Sequence, residues 1–220
     1  MRRALLLAAC LAAPGGAPAA LAVPADALAQ ARRLEAALAS VRGLVARFTQ
    51  TVESPGLPRP QVERGTVYLL RPGRMRFEYD DPRGKLAIAD GRRFWLYLPE
   101  ERQALVAPVD AGAADKGIAI LMRERVRIEK EFLVDWGPAP ETPGAAGRPL
   151  RLSPRGSRAE YDHLLVELAP DGLVARLTAV DALGGHVSYR FTLARRVDRL
   201  DEDLFRFVPP AGVEVQEVAP

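Results

Sequence analysis

Arg74-Met75-Arg76-Phe77-Glu78-Tyr79 alternates strictly, with Met75, Phe77 and Tyr79 apolar or aromatic and Arg74, Arg76 and Glu78 charged. Successive side chains of a strand point to opposite faces, so this hexapeptide is a strand with one face in a core and one in water. Working outward, the same grammar recurs about every ten residues. Val62 to Leu70 precedes it, closed by Arg71-Pro72-Gly73, and Asp80-Asp81-Pro82-Arg83-Gly84 turns the chain after it. Lys85 to Ala89 and Arg92 to Leu98 flank Asp90-Gly91, a two-residue hairpin signal, and Gln103 to Ala107 follows Pro99-Glu100-Glu101. Further on, Leu150-Arg151-Leu152, Tyr161 to Leu168, Leu173 to Val180 and His186 to Ala194 read as strands, with turns at Asp171-Gly172 and Gly184-Gly185. Upstream, Leu44, Ala46, Phe48 and Val52 alternate with polar neighbours in the first strand. About eleven strands joined by short turns predict a mainly β chain with antiparallel neighbours. So many half-apolar strands must curl to bury one face, giving a single curved sheet, an unclosed β-barrel.

Two segments break the period of two. Asp26 is a candidate cap, and Leu28, Ala31, Leu34, Leu38 and Val41 follow at helical steps, with Gly43 as a stop. Ile118 to Met122 is short, very apolar and set between charged flanks, and it reads as a helical flap. Val126 to Trp136 is strand-like, and residues 137–149 form a loop of prolines, glycines and alanines. The helical material is too small to fill a wide barrel, which predicts a helical lid over an apolar cavity.

Composition narrows the function. The chain has 220 residues, 48% hydrophobic, enough for one substantial core without a disulfide or a metal. The formal charge is 31 − 28 = +3, and it falls to 29 − 28 = +1 once Arg2 and Arg3 are set aside. Scattered arginines at near-neutral charge do not mark a nucleic-acid binder. Met1-Arg2-Arg3, the apolar run Ala4 to Ala13, the break at Pro14-Gly15-Gly16 and Ala20-Leu21-Ala22 follow the order of a secretory signal peptide. Residues 1–22 are therefore expected to be removed, leaving a single domain over 23–220 that starts at Val23. Leu7-Ala8-Ala9-Cys10 competes as a lipobox, but only nine residues precede the cysteine. Without Cys10 the mature chain has no cysteine, which suits an oxidising compartment.

Catalytic constellations are missing from the pattern. The two histidines, His163 and His186, each sit in an alternating strand. Ser157 lacks the spacing of a nucleophile elbow, and no zinc-protease motif occurs. Gly112 and Gly117 have phosphate-loop spacing, but Ile118 stands where lysine is required. Asp201-Glu202-Asp203 lacks the alternation of a calcium loop. No enzyme, no cofactor and no metal site is expected. The conspicuous residues are instead Phe48, Met75, Phe77, Phe94, Trp95 and Tyr97, close in sequence to Arg71.

These pieces, in order, are similar to those of the periplasmic outer-membrane lipoprotein carrier family of the Lol system. Phe48-Thr49-Gln50 follows the first helix, and Gly65 to Leu70 leads into Arg71-Pro72-Gly73. Asp90-Gly91-Arg92-Arg93-Phe94-Trp95-Leu96-Tyr97-Leu98-Pro99 precedes Gln103, and Phe205-Arg206-Phe207-Val208-Pro209-Pro210-Ala211-Gly212-Val213 completes the match. The resemblance implies a monomeric periplasmic carrier that binds lipoprotein acyl chains. It implies loading by an inner-membrane Lol ABC transporter and delivery to an outer-membrane lipoprotein receptor, without catalysis. It implies that Arg71 holds the lid closed through backbone carbonyls. By the same resemblance, Met75 and Phe77 belong to the rim and lining of the hollow; Phe48, Leu69, Trp95 and Tyr97 are expected to line it with them, and Ile118 and Leu121 to belong to its lid. Met75 and Phe77 stand where larger aromatics are familiar, and the 137–149 loop has no counterpart. A membrane-anchored receptor and a periplasmic sensor module of the same fold are the competing expectations.

Overall fold

The computed structural model describes residues 24–109, 117–139, 147–156 and 161–218. The expected signal peptide with Cys10, Gly112, Ser157 and the middle of the 137–149 loop lie outside the described residues. Helix α1 (Ala25–Ser40) comes first, followed by strands β1 (Gly43–Glu53), β2 (Gln61–Leu70), β3 (Arg74–Asp81), β4 (Leu86–Asp90), β5 (Arg93–Leu98) and β6 (Gln103–Pro108). A 3-10 turn (Ile118–Leu121) and the short helix α2 (Ile128–Glu131) precede β7 (Phe132–Trp136), β8 (Leu150–Pro154), β9 (His163–Leu168), β10 (Val174–Val180) and β11 (His186–Val197). A second 3-10 turn (Glu202–Phe205) leads to β12 (Glu214–Glu217).

All twelve described strands belong to one sheet, in the order β12-β6-β5-β4-β3-β2-β1-β11-β10-β9-β8-β7. The sheet is unclosed, with β12 and β7 at its edges. Hairpin-linked neighbours pair antiparallel, as the short turns predict. Two pairings are not local. Strand β11 folds back on β1, antiparallel, from Glu53 opposite His186 to Gly43 opposite Val197. The C-terminal β12 adds parallel to β6, with Glu214 opposite Gln103. That is one strand more than the expected eleven, and the one parallel pair among the described strands. The stretch from Val126 also departs from expectation, because α2 intervenes before the strand begins at Phe132.

Register assigns the faces. Leu69 pairs with Met75 and Met75 with Ala89, while Val67 pairs with Phe77 and Phe77 with Ala87. These residues, with Leu44, Ala46 and Phe48, all belong to one buried cluster on the concave face. Leu164, Val166, Leu177, Leu150 and Leu152 continue that cluster across β8 to β10. Helix α1 covers it with Ala27, Ala31, Leu34 and Leu38. Asp26 does not cap this helix; Pro24 occupies the cap position, and Asp26 accepts a hydrogen bond from the Ala27 backbone at 3.0 Å in the first turn. Burying Leu34 and Leu38 contributes about 1.5–3 kcal/mol each and the two alanines about 0.8 kcal/mol each, so the helix is held mainly by its apolar underside.

Candidate functional site: a lidded apolar hollow

The concave face of the sheet beneath the roof is aromatic, and of its rings Phe191 reaches the cavity. Phe48 on β1 meets Phe77 on β3 edge-on at 4.7 Å between ring centroids, and Tyr79 at 5.1 Å. Phe77 reaches Tyr189 on β11 at 5.7 Å, and Tyr189 stacks on Phe191 at 6.4 Å. Inward alternation on β1, β3 and β11 brings these rings together, because the three strands are neighbours or separated only by β2. Tyr79 donates to the Gln50 side chain at 2.9 Å, which satisfies the phenol inside an apolar surface.

The roof is built from α1, the 3-10 turn and α2. Ile118, Ile120 and Leu121 are all buried beneath it. Gly117 leads into the turn with φ +105°, and a side chain there would run into Leu164. Arg32 on α1 bonds Glu129 on α2 at 2.8 Å, and Glu35 accepts from the Ile128 backbone at 3.1 Å. These contacts join the roof pieces to one another rather than to the floor.

The roof is fastened to the sheet at the β2–β3 turn. The Gly73 backbone donates to the Met122 carbonyl at 2.9 Å. Arg71 Nη2 donates to the carbonyls of Arg123 and Glu124, the latter at 3.1 Å. Its Nε and Nη1 are buried without a protein partner. Burial pulls the Arg71 pKa below its ordinary value, because desolvation penalises the charged form. The guanidinium is thus bound to the roof through one of its three nitrogens.

Between roof and floor remains a cavity of about 40 Å³. Leu38, Val41, Leu44, Leu69, Arg71, Leu121, Leu173 and Phe191 line it. An apolar cavity that binds benzene measures about 150 Å³, so this one is too small for an acyl chain in the conformation described.

Of the residues expected from sequence, Leu69, Arg71 and Leu121 meet at this cavity. Phe48, Met75, Phe77 and Ile118 lie buried in the same cluster. Trp95 and Tyr97 do not. Trp95 pairs with Ile88 and Val106, on the opposite face from Met75 and Phe77. There Phe207 of the C-terminal segment packs on Trp95 at 5.5 Å and on Tyr97 at 5.4 Å. The concave side of β5 belongs to Phe94 and Leu96 instead. Sequence reasoning also missed Tyr189 and Phe191, although their alternation with Ser188, Arg190 and Thr192 was the available signal.

The family profile described as "Outer membrane lipoprotein carrier protein LolA" matches residues 39–208, from the end of α1 to the C-terminal segment. The chain belongs to the LolA family of outer-membrane lipoprotein carrier proteins. Among LolA-family relatives, an outer-membrane lipoprotein carrier protein of Methylibium petroleiphilum is 32% identical over 182 residues, covering 83% of this chain and 86% of its own. One from Methylococcus capsulatus is 31% identical over 186 residues, covering 84% and 86%. The fold is shared with an uncharacterised conserved protein of Thermus thermophilus, at a TM-score of 0.51 and 14% identity, over 88% of this chain and 99% of that one. A DUF1329 family protein of Desulfovibrio piger also has a TM-score of 0.51, at 12% identity, over 82% and 96%. Among the described residues no helix is long and apolar enough to cross a membrane, and no cluster of His, Cys, Asp and Glu is arranged to hold a metal ion.

Proposed function

We propose that this protein is a periplasmic carrier that shields lipoprotein acyl chains between the inner membrane and the outer membrane. In this reading residues 1–22 direct export, and the chain released at Val23 is loaded by an inner-membrane ABC transporter. An outer-membrane receptor then unloads it. The observation that carries the reading is an apolar concave face covered by a roof that Arg71, alone among the side chains of the β2–β3 turn, bonds to the sheet.

The energetics suit a carrier. Each acyl methylene taken from water gains about 0.8 kcal/mol, so a lipoprotein anchor cannot cross an aqueous space unshielded. Release requires an opposing term. The Arg71 bonds to lid carbonyls stabilise the closed protein, at about 1.5–3 kcal/mol for a bond to a charged group. They form again only when the lipid has left. Arg71→Leu removes all five donors while keeping an apolar side chain at the turn. The variant is expected to fold and to accept lipoprotein, but to transfer it to receptor-bearing membranes poorly, because the loaded form is now favoured. Transfer at the wild-type rate would return Arg71 to an ordinary turn residue.

A further inference from the structure

The face opposite the hollow carries an arrangement that acyl-chain binding does not use. Thr49 on β1 lies opposite Arg190 on β11 and Arg64 on β2, and Arg190 lies opposite Arg176 on β10. Two rows along, Val45 lies opposite Arg195, and the row between them holds Arg47 opposite Thr192. Arg47 and Arg176 have carboxylate partners in Asp80 and Glu167. Arg64, Arg190 and Arg195 are exposed and make no ion pair among the described residues.

Leu193 stands in the middle of these cations. It is 83% exposed. Between the Thr192–Arg47 and Arg195–Val45 pairs, β11 has two residues, Leu193 and Ala194, where β1 has one, Ala46. Ala46 and Ala194 serve the concave side, so Leu193 is the extra residue of a β-bulge, pushed outward. Its φ is +50°, a conformation glycine or asparagine takes readily and a leucine does not. An exposed apolar side chain held in a disfavoured backbone geometry is an outlier that folding does not require.

We propose that this outer face of β10, β11, β1 and β2 docks on an anionic lipid bilayer, with Leu193 entering the acyl region and Arg64, Arg190 and Arg195 meeting lipid phosphates. Guanidiniums spread over β2 and β11 match a plane of phosphates, and a single apolar prong matches a soft interior beneath that plane. An acidic peptide is the poorer match. Strand β11 is paired on both sides, with β1 and β10, and so offers such a peptide no free backbone edge. Docking through this face leaves the roof and the Arg71 fastening pointing away from the bilayer.

Co-sedimentation with phosphatidylcholine vesicles, and with the same vesicles containing phosphatidylglycerol, tests the proposal. The protein is expected to pellet with the anionic vesicles only, less so as salt rises. Leu193→Asn, which suits the backbone conformation, is expected to keep or raise thermal stability and to weaken partitioning about tenfold. Arg190→Gln and Arg195→Gln are expected to weaken it about fivefold each. Equal binding to both vesicle types, no vesicle binding, or undiminished binding by Leu193→Asn overturns the proposal. Arginine-dependent binding to a polyglutamate peptide without vesicle binding also overturns it, in favour of an acidic protein partner. A soluble acyl probe reads the hollow separately, so a failure there counts against the carrier reading and leaves the vesicle comparison standing.

Discussion

At Gly65 the sheet has no room for a side chain. A Cβ there would lie 1.9 Å from the Glu78 carbonyl oxygen and 2.8 Å from the Phe48 ring. The position is next to a register shift between β2 and β3, where two backbones and an aromatic ring converge. Gly65→Ala is expected to lower stability by about 2–4 kcal/mol, read by urea denaturation, because overpacking moves both a strand and the aromatic floor. Phe77 tests the floor itself. It is 2% exposed and touches Phe48, Tyr79 and Tyr189, so a carboxylate at this position puts a charge into the apolar surface. Phe77→Asp is expected to reduce binding of an environment-sensitive acyl probe at least tenfold and to cost about 3–5 kcal/mol of stability. Unchanged probe fluorescence in folded Phe77→Asp would place the acyl site off this strand face.

Among elements, the C-terminal segment has the least local reason to be where it is. Its strand β12 is exposed throughout, yet it sits in register along β6. What holds the segment is upstream of that strand. Phe205 is 1% exposed, and the Leu204 carbonyl accepts from Arg76 Nη1 at 3.0 Å on the convex side of β3. Phe207 then covers Trp95 and Tyr97. The segment is therefore the cover of a second apolar layer, formed by Ile88, Trp95 and Val106. Truncation after Asp198 is expected to uncover that layer and to lower stability by several kcal/mol, since each large apolar side chain returned to water costs about 1.5–3 kcal/mol. Increased binding of a hydrophobic dye at low temperature, with the hollow's acyl probe still bound, would report the same event. An unchanged denaturation midpoint would mean that the cover contributes nothing.

Across the whole molecule, the closed hollow and the lid are one system. A cavity of about 40 Å³ is too small for an acyl chain, so in the carrier proposed above opening precedes or accompanies entry. If opening comes first, the association rate of an acyl probe levels off as its concentration rises, at the rate of opening. Arg71→Leu removes part of what holds the roof and is expected to raise that ceiling severalfold in stopped-flow measurements. A rate that stays linear in concentration, unaffected by the substitution, would mean that the roof does not gate the hollow.

Legibility differed along the chain for a physical reason. Where one face of a strand meets water, alternation states the orientation of every side chain. Met75, Phe77 and Tyr79 against Arg74, Arg76 and Glu78 did so, and Phe48 followed from the same rule, whereas Leu69 stands between Tyr68 and Leu70, where alternation gives no orientation. The turn residues Arg71-Pro72-Gly73 and Asp90-Gly91 likewise determined which strands are hairpin neighbours, because their backbone preferences are local. In Phe94-Trp95-Leu96-Tyr97 both faces are apolar, so alternation carries no sign, and only the packing of Phe207 shows that Trp95 and Tyr97 face away from the hollow. The pairing of β1 with β11 and of β12 with β6 joins segments more than a hundred residues apart. No local preference encodes such pairings, since they form only to bury the surfaces that the local strands leave open. The same holds for Arg71. Its residue type and turn were legible, but its carbonyl partners at Arg123 and Glu124 exist only once the roof has folded back over the sheet.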